Sequence, residues 1–105
     1  MATNNIAKEI QTKYPDRIPV IVHFASNKDQ SKTVFKFIIL RSMNYANFMM
    51  VLRKRINISS REALFLQLDN GLMLTHANTL GETYNKYKNE DEMLKLNLLK
   101  ENTFG

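Results

Sequence analysis

Hydrophobic and polar positions recur along this chain with several different periods, and each change of period marks an element. Ile6 and Ile10 stand four residues apart, and the run stops before Tyr14 and Pro15, which predicts a short docking helix over residues 7–12. Residues 18–24 are rich in β-branched side chains and predict a strand, with Pro19 tolerated near its start or on a sheet edge. A polar stretch, 25–32, leads to a second strand over 33–40. Phe35, Phe37 and Ile39 share one face of that strand and Val34, Lys36, Ile38 and Leu40 the other, so both faces are largely apolar. Residues 45–56 carry the clearest helical signal. There Phe48, Val51, Leu52, Arg55 and Ile56 fall at i, i+3, i+4, i+7 and i+8 behind Asn44, a suitable N-cap. Two apolar runs, 64–68 and 72–74, flank Asp69, Asn70 and Gly71, a turn sequence that favours a tight hairpin. Residues 79–88 predict a short helix with Leu80 and Tyr84 inward, and 93–99 a closing strand on which Leu94, Leu96 and Leu98 alternate.

In order, these elements describe an α+β ubiquitin-like roll (β-grasp): a four-stranded mixed sheet, a packed central helix and one short N-terminal helix. The 105 residues, 44% of them hydrophobic, supply one domain with a modest core. We divide the chain into a docking helix at 1–13, a ubiquitin-like domain at 14–100 and a polar tail at 101–105, with no internal repeat. Cysteine is absent, which removes any disulfide framework, thiolate metal site or cysteine nucleophile and suits a reducing compartment. No run approaches the roughly 20 apolar residues of a spanning helix, so membrane attachment is expected to be acquired. Fifteen basic against ten acidic residues give a net charge of +5, a bias toward anionic partners. Arg53, Lys54 and Arg55 form the densest basic run, expected as a solvated helix face. No basic stripe interleaved with exposed aromatics is legible, so no nucleic-acid partner is expected.

Catalysis finds no constellation to work with. His23 and His76 are far apart in sequence and read as surface or satisfied histidines, with no paired spacing for zinc. Ser59 and Ser60 stand at a helix end, where turn hydrogen bonds account for them. Glu90, Asp91 and Glu92 read as a solvated acidic turn. Three glycines, Gly71, Gly81 and Gly105, make no phosphate loop. No catalytic residue, cofactor or metal is expected.

Binding has a stronger basis. If the 33–40 strand lies on an edge, its free backbone can add a peptide strand while its side chains supply pockets at alternate positions; periodicity alone also allows a central strand buried on both faces. The tail, Glu101-Asn102-Thr103-Phe104-Gly105, offers a second clue. A glycine carboxylate with no side chain threads a narrow channel and can be activated without steric penalty at the reacting carbon.

Four stretches carry a resemblance. They are the run Lys13 to Val22 (KYPDRIPVIV), Arg53-Lys54-Arg55-Ile56 late in a helix, Glu62-Ala63-Leu64-Phe65 opening a strand, and the Glu101 to Gly105 ending. In that order they resemble the ubiquitin-like autophagy modifiers, the autophagy-related protein eight family that includes the GABARAP type, over nearly the whole chain from about residue 6. The resemblance favours the edge position for the second strand. It implies a first pocket, for an aromatic anchor, at Ile10, Pro19, Ile21, Lys36, Ile38 and Met93. A second pocket, for a branched aliphatic anchor three residues further along the ligand, is implied at Phe37, Ile39, Leu40, Met43, Phe48, Val51 and Leu52, some of them core residues as well. Arg17 and Arg55 match basic positions that meet acidic residues beside the anchors.

The resemblance further implies a non-enzymatic modifier joined through Gly105 to phosphatidylethanolamine by activating and conjugating enzymes, with Phe104 helping them recognise the tail. A cysteine protease would process or delipidate it, and cargo receptors bearing an aromatic, two spacers and an aliphatic residue would fill its groove. Location would be cytoplasmic, and autophagosomal after lipidation. Alternatives are a protein-conjugated modifier of the autophagy-related protein twelve kind and an unconjugated peptide-binding adaptor. Departures touch the same surfaces: the chain begins too late for the family's usual further helix, so microtubule contact or tethering that leans on it is not carried over. Val34 and Phe35 stand where lysines are common, Leu40 where a proline is, and Met93 where an aromatic is usual.

Overall fold

Ile18, Val20 and Val22 alternate along a strand and are fully or almost fully buried, which makes that strand, β1 (Arg17–Ala25), the spine of the sheet. The computed structural model describes residues 5–25, 32–58, 62–74 and 78–101. Within them, β1 pairs antiparallel with β2 (Lys32–Leu40) from Arg17↔Leu40 to Ala25↔Lys32, and parallel with β4 (Leu94–Glu101). On its other side β4 pairs antiparallel with β3 (Ala63–Leu68), giving one four-stranded mixed sheet in the order β2-β1-β4-β3. The second strand of the sequence is therefore an edge strand. One of its faces meets the core through Ile39, Phe35 and Phe37, while Val34, Ile38 and Leu40 stand exposed on the other.

Two helices cover the inner face. The central helix, α2 (Tyr45–Ile56), has the predicted limits, and the Asn44 side chain accepts a hydrogen bond from the Asn47 N–H at 2.8 Å as N-cap. Asn57 ends it in the left-handed conformation, φ 63°, donating its N–H to the Arg53 carbonyl at 2.9 Å. The buried stripe differs from the expected one. Phe48, Met49 and Leu52 face the sheet, while Val51 and Arg55 lie along the margin, because a stripe through 48, 49, 52 and 56 fits the 3.6-residue turn and the sheet's inner face. Helix α3 (Leu80–Tyr87) starts on a capping box in which Thr79 and Glu82 exchange hydrogen bonds of 2.9 and 3.2 Å, and it buries Leu80 and Tyr84 as predicted.

Gly81 lies close against the chain after β2. A Cβ there would sit 2.8 Å from both the Cβ and the carbonyl oxygen of Arg41, so the missing side chain lets α3 approach and the Gly81 N–H donate to that carbonyl at 2.9 Å.

The predicted hairpin is only partly formed. Residues 72–74 make no strand; they hold to β3 by one bridge, Gln67↔Met73, and by bonds from the Leu68 N–H to the Leu72 carbonyl and from the Leu74 N–H to the Leu66 carbonyl. Leu72 and Met73 stay exposed, so no burial extends the pairing. The first helix, α1 (Asn5–Lys13), lies on the outer face of the sheet against β1, anchored by fully buried Ala7. The polar stretch 26–31, Ser59, Ser60, His76, and the tail residues Phe104 and Gly105 lie outside the described residues.

Candidate peptide-binding groove

α1 covers only part of the outer sheet face, and the uncovered gap between it and the β2 edge is apolar. A cavity of about 450 Å³ opens there, within the size range of small-ligand pockets. Ile10 and Ile6 of α1 form one wall, Pro19 and Ile21 of β1 the floor, Lys36 and Ile38 of β2 the other wall, and Met93 closes the end beside β4. All the residues expected to make an aromatic pocket come together in it, with Ile6, Val20 and Phe37 in addition. Ile6 escaped the sequence reading as a site residue although its spacing from Ile10 signalled a shared face; it is 57% exposed, so the apolar stripe of α1 is an open wall and not a packed contact. Lys36 is the one charged residue among the described residues that line the cavity, and its aliphatic stem beside flat apolar walls suits an aromatic ring.

On the opposite face of the same edge lies a shallower depression of about 370 Å³, lined by Phe37, Val51, Lys54 and Arg55. Here the expected aliphatic pocket divides. Phe37 and Val51 line the depression, Met43 is half-buried against the core, and Ile39, Phe48 and Leu52 are core residues beneath. Leu40 stands on the other face of β2, the face of Lys36 and Ile38, because successive strand residues point to opposite sides. Phe48 meets Phe37 edge-to-face at 5.5 Å and 81°, which fixes the ring that floors the depression.

The basic run on α2 is not simply a solvated face. Arg53 Nη2 donates to the Glu62 carbonyl at 2.9 Å and ties α2 to the start of β3, while the Arg55 guanidinium lies 5.2 Å from the Phe37 ring and 5.7 Å from the Phe35 ring. Arg17 Nη1 reaches the Ile38 carbonyl at 3.5 Å, so a cation stands at the β1 start beside the cavity and Arg55 beside the depression.

Behind α1, Tyr84 is held away from its ordinary titration. Burial foremost, and then the Glu92 carboxylate, raise its hydroxyl above the ordinary value of 10.0, against the lowering influence of Arg41 and the Gln11 hydrogen bond. A raised value means that Tyr84 contributes stability in full below pH 10 and loses it as pH climbs through the folded-state value. Melting followed between pH 8 and pH 11 is expected to fall more steeply for the wild type than for Tyr84→Phe, about these ordinary tyrosine limits. Parallel curves would refute that assignment.

Among the described residues no group of three His, Asp or Glu side chains could hold a metal, and no helix is long and apolar enough to cross a membrane. The groove is an apolar depression beside the outer edge of β2. A family model described as "Autophagy protein Atg8 ubiquitin like" matches residues 3–105. The chain belongs to the Atg8 family. Autophagy-related protein 8d of Arabidopsis thaliana is 38% identical over 100 residues, which are 94% of this chain and 82% of that protein. Autophagy-related protein 8 of Mycosarcoma maydis is 36% identical over 100 residues, 94% of this chain and 84% of that one. The crystal structure of Trypanosoma brucei ATG8 superimposes with a TM-score of 0.84 at 30% identity, covering 99% of this chain and 90% of that chain. The resemblance read from the four motifs holds, and so does the α+β ubiquitin-like fold. As an Atg8 family member the chain is a ubiquitin-like autophagy protein.

Proposed function

We propose that this Atg8 family protein is a non-enzymatic modifier, conjugated through Gly105 to phosphatidylethanolamine, that recruits cargo receptors to the autophagosomal membrane through the groove at the β2 edge. Within that reading, residues 1–13 are a docking helix, 14–100 the ubiquitin-like domain and 101–105 the conjugation tail, with Phe104 read by the enzymes. An activating enzyme would adenylate the Gly105 carboxylate at the expense of ATP, a conjugating enzyme would carry it as a thioester, and the lipid amine would displace the thiolate to give an amide. The enzymes supply the cysteines, since this chain has none. A cysteine protease would reverse the attachment. The lipid is the anchor, and the protein would divide between cytoplasm and autophagosome.

The observation that carries the groove reading is that the two depressions lie on opposite faces of one free strand edge, joined by Phe37. A peptide strand added to β2 points successive side chains to opposite faces and advances about 3.3 Å per residue. Anchors on opposite faces must therefore be an odd number of residues apart, and a spacing of three spans about 10 Å. An aromatic, two spacers and an aliphatic residue satisfies the odd spacing. Lys36, Lys54 and Arg55 along the path favour acidic residues near the anchors, each exposed pair contributing about 0–1 kcal/mol.

Calorimetric titration with such a peptide checks the reading. Replacing the aromatic anchor by alanine is expected to weaken binding by at least about thirtyfold, about 2 kcal/mol, as for loss of a buried aromatic contact. Equal affinity for both peptides would rule out the cavity as the anchor site.

A further inference from the structure

The aromatic pocket has two walls that are not part of the sheet, α1 and Met93, and one hydroxyl holds both from behind. Tyr84 is 1% exposed. Its Oη accepts a hydrogen bond from Gln11 Nε2 on α1, the residue after Ile10, and donates one to the carbonyl of Glu92 at 2.6 Å, the residue before Met93. Gln11 is used at both ends, for its Oε1 accepts from Arg41 Nη2 at 3.3 Å. Arg41 completes the frame. Its Nε donates to the Pro15 carbonyl at 3.2 Å, its Nη1 to Asn85 Oδ1 at 3.3 Å, and its guanidinium carbon lies 5.5 Å from the Tyr84 ring centre.

On the α1 side this frame has little redundancy. A nine-residue helix is too short to hold its conformation alone, and among its described side chains α1 buries only Ala7 completely. Ile6 and Ile10, which form the wall, face the open cavity and add little packing of their own until it is filled. Glu92 sits at φ 60°, a left-handed conformation that a glutamate adopts at a cost, and the Tyr84 bond to its carbonyl is one of the contacts that hold it there. Asn89 holds the same turn locally: its side chain accepts from the Asp91 and Met93 N–H groups at 2.8 and 3.1 Å, its carbonyl accepts from the Glu92 N–H at 2.9 Å and its N–H donates to the Met93 carbonyl at 2.8 Å.

Resting on the groove reading above, we infer that Gln11, Arg41 and Tyr84 are positioning residues for the aromatic pocket: a clamp that fixes the spacing of its α1 and Met93 walls, and so its affinity, without touching the occupant. Release of the clamp leaves the sheet floor and the aliphatic depression intact. Only the fraction of molecules with both walls in place would accept the ring, and the apparent dissociation constant rises as that fraction falls.

The test uses the full chain, one peptide with an aromatic anchor and its alanine-anchor counterpart. Tyr84→Phe, which keeps the ring and loses the hydroxyl, is expected to weaken the aromatic peptide about fivefold to tenfold and the alanine peptide less than about twofold. Gln11→Ala is expected to act in the same direction, and amide exchange in α1 and at Met93 is expected to quicken in both variants. Leu64→Val on the far edge strand lowers stability by a core change remote from the pocket, and serves as the control. It should leave the aromatic peptide within about twofold of wild type. Folded Tyr84→Phe that binds the aromatic peptide as wild type does would overturn the clamp, as would an equal loss in Leu64→Val. Wild-type indifference to the anchor would instead overturn the groove reading on which the clamp rests.

Discussion

Replacing Phe48 with alanine is expected to lower the midpoint of thermal unfolding by more than about 12 °C. The ring is fully buried in the first turn of α2, between the sheet and the edge-to-face contact with Phe37. Truncating a buried phenylalanine costs about 3–5 kcal/mol, because the lost transfer energy is joined by the cavity left behind. A domain of this size has only about 5–15 kcal/mol of stability to lose. The aromatic pair adds about 0.5–1.5 kcal/mol that leucine could not restore, so Phe48→Leu should recover most but not all of the loss. Phe37 would also lose its support, and with it the floor of the aliphatic depression. Melting by circular dichroism reads the result; a shift of only a few degrees would mean that α2 does not pack on the sheet as described.

The second large effect is on binding with the fold intact. Ile38→Glu places a carboxylate on the wall of the aromatic pocket at a site 44% exposed, so stability should change by no more than about 0.5 kcal/mol. Binding is another matter, since an aromatic anchor would strip water from that carboxylate and offer no hydrogen bond in return. Lys36 stands two residues away on the same face and can offset part of the cost. Affinity for an aromatic-x-x-aliphatic peptide is expected to fall by at least about tenfold, about 1.4 kcal/mol, with the melting temperature unchanged. Unchanged affinity would show that the peptide lies elsewhere.

Much of this architecture was legible from local pattern. The α2 limits followed from one helical stripe and the Asn44 cap, and the inward leucines of β4 from strict alternation. Where the pattern served two masters it misled. β2 is apolar on both faces although it is an edge strand, because one face packs on the core and the other lines the groove; burial and binding ask for the same residue types. Leu72 and Met73 look like a strand for a related reason, being apolar yet exposed. Met49 was overlooked because Val51 and Arg55 fit the same arc of the helical wheel.

The candidate site was readable residue by residue only through the family resemblance, whose first set of residues shares one cavity and whose second set divides between a depression and the core, as expected of residues that serve both. No local signal could assign the clamp. The Gln11–Tyr84 bond joins positions 73 apart, and hydrogen bonds between distant polar side chains leave no periodicity to read. The consequence of Gly81 is similar in kind, since only the fold reveals that Arg41 lies where its Cβ would be.

The central claim, a lipid-conjugated modifier, is tested most directly by reconstitution: the chain with activating and conjugating enzymes, ATP and phosphatidylethanolamine liposomes, read by intact mass. The expected result is a gain of one lipid that disappears when Gly105 is changed to alanine. A folded chain that gains no lipid beside a competent control, or a Gly105→Ala variant lipidated at the normal rate, would contradict it.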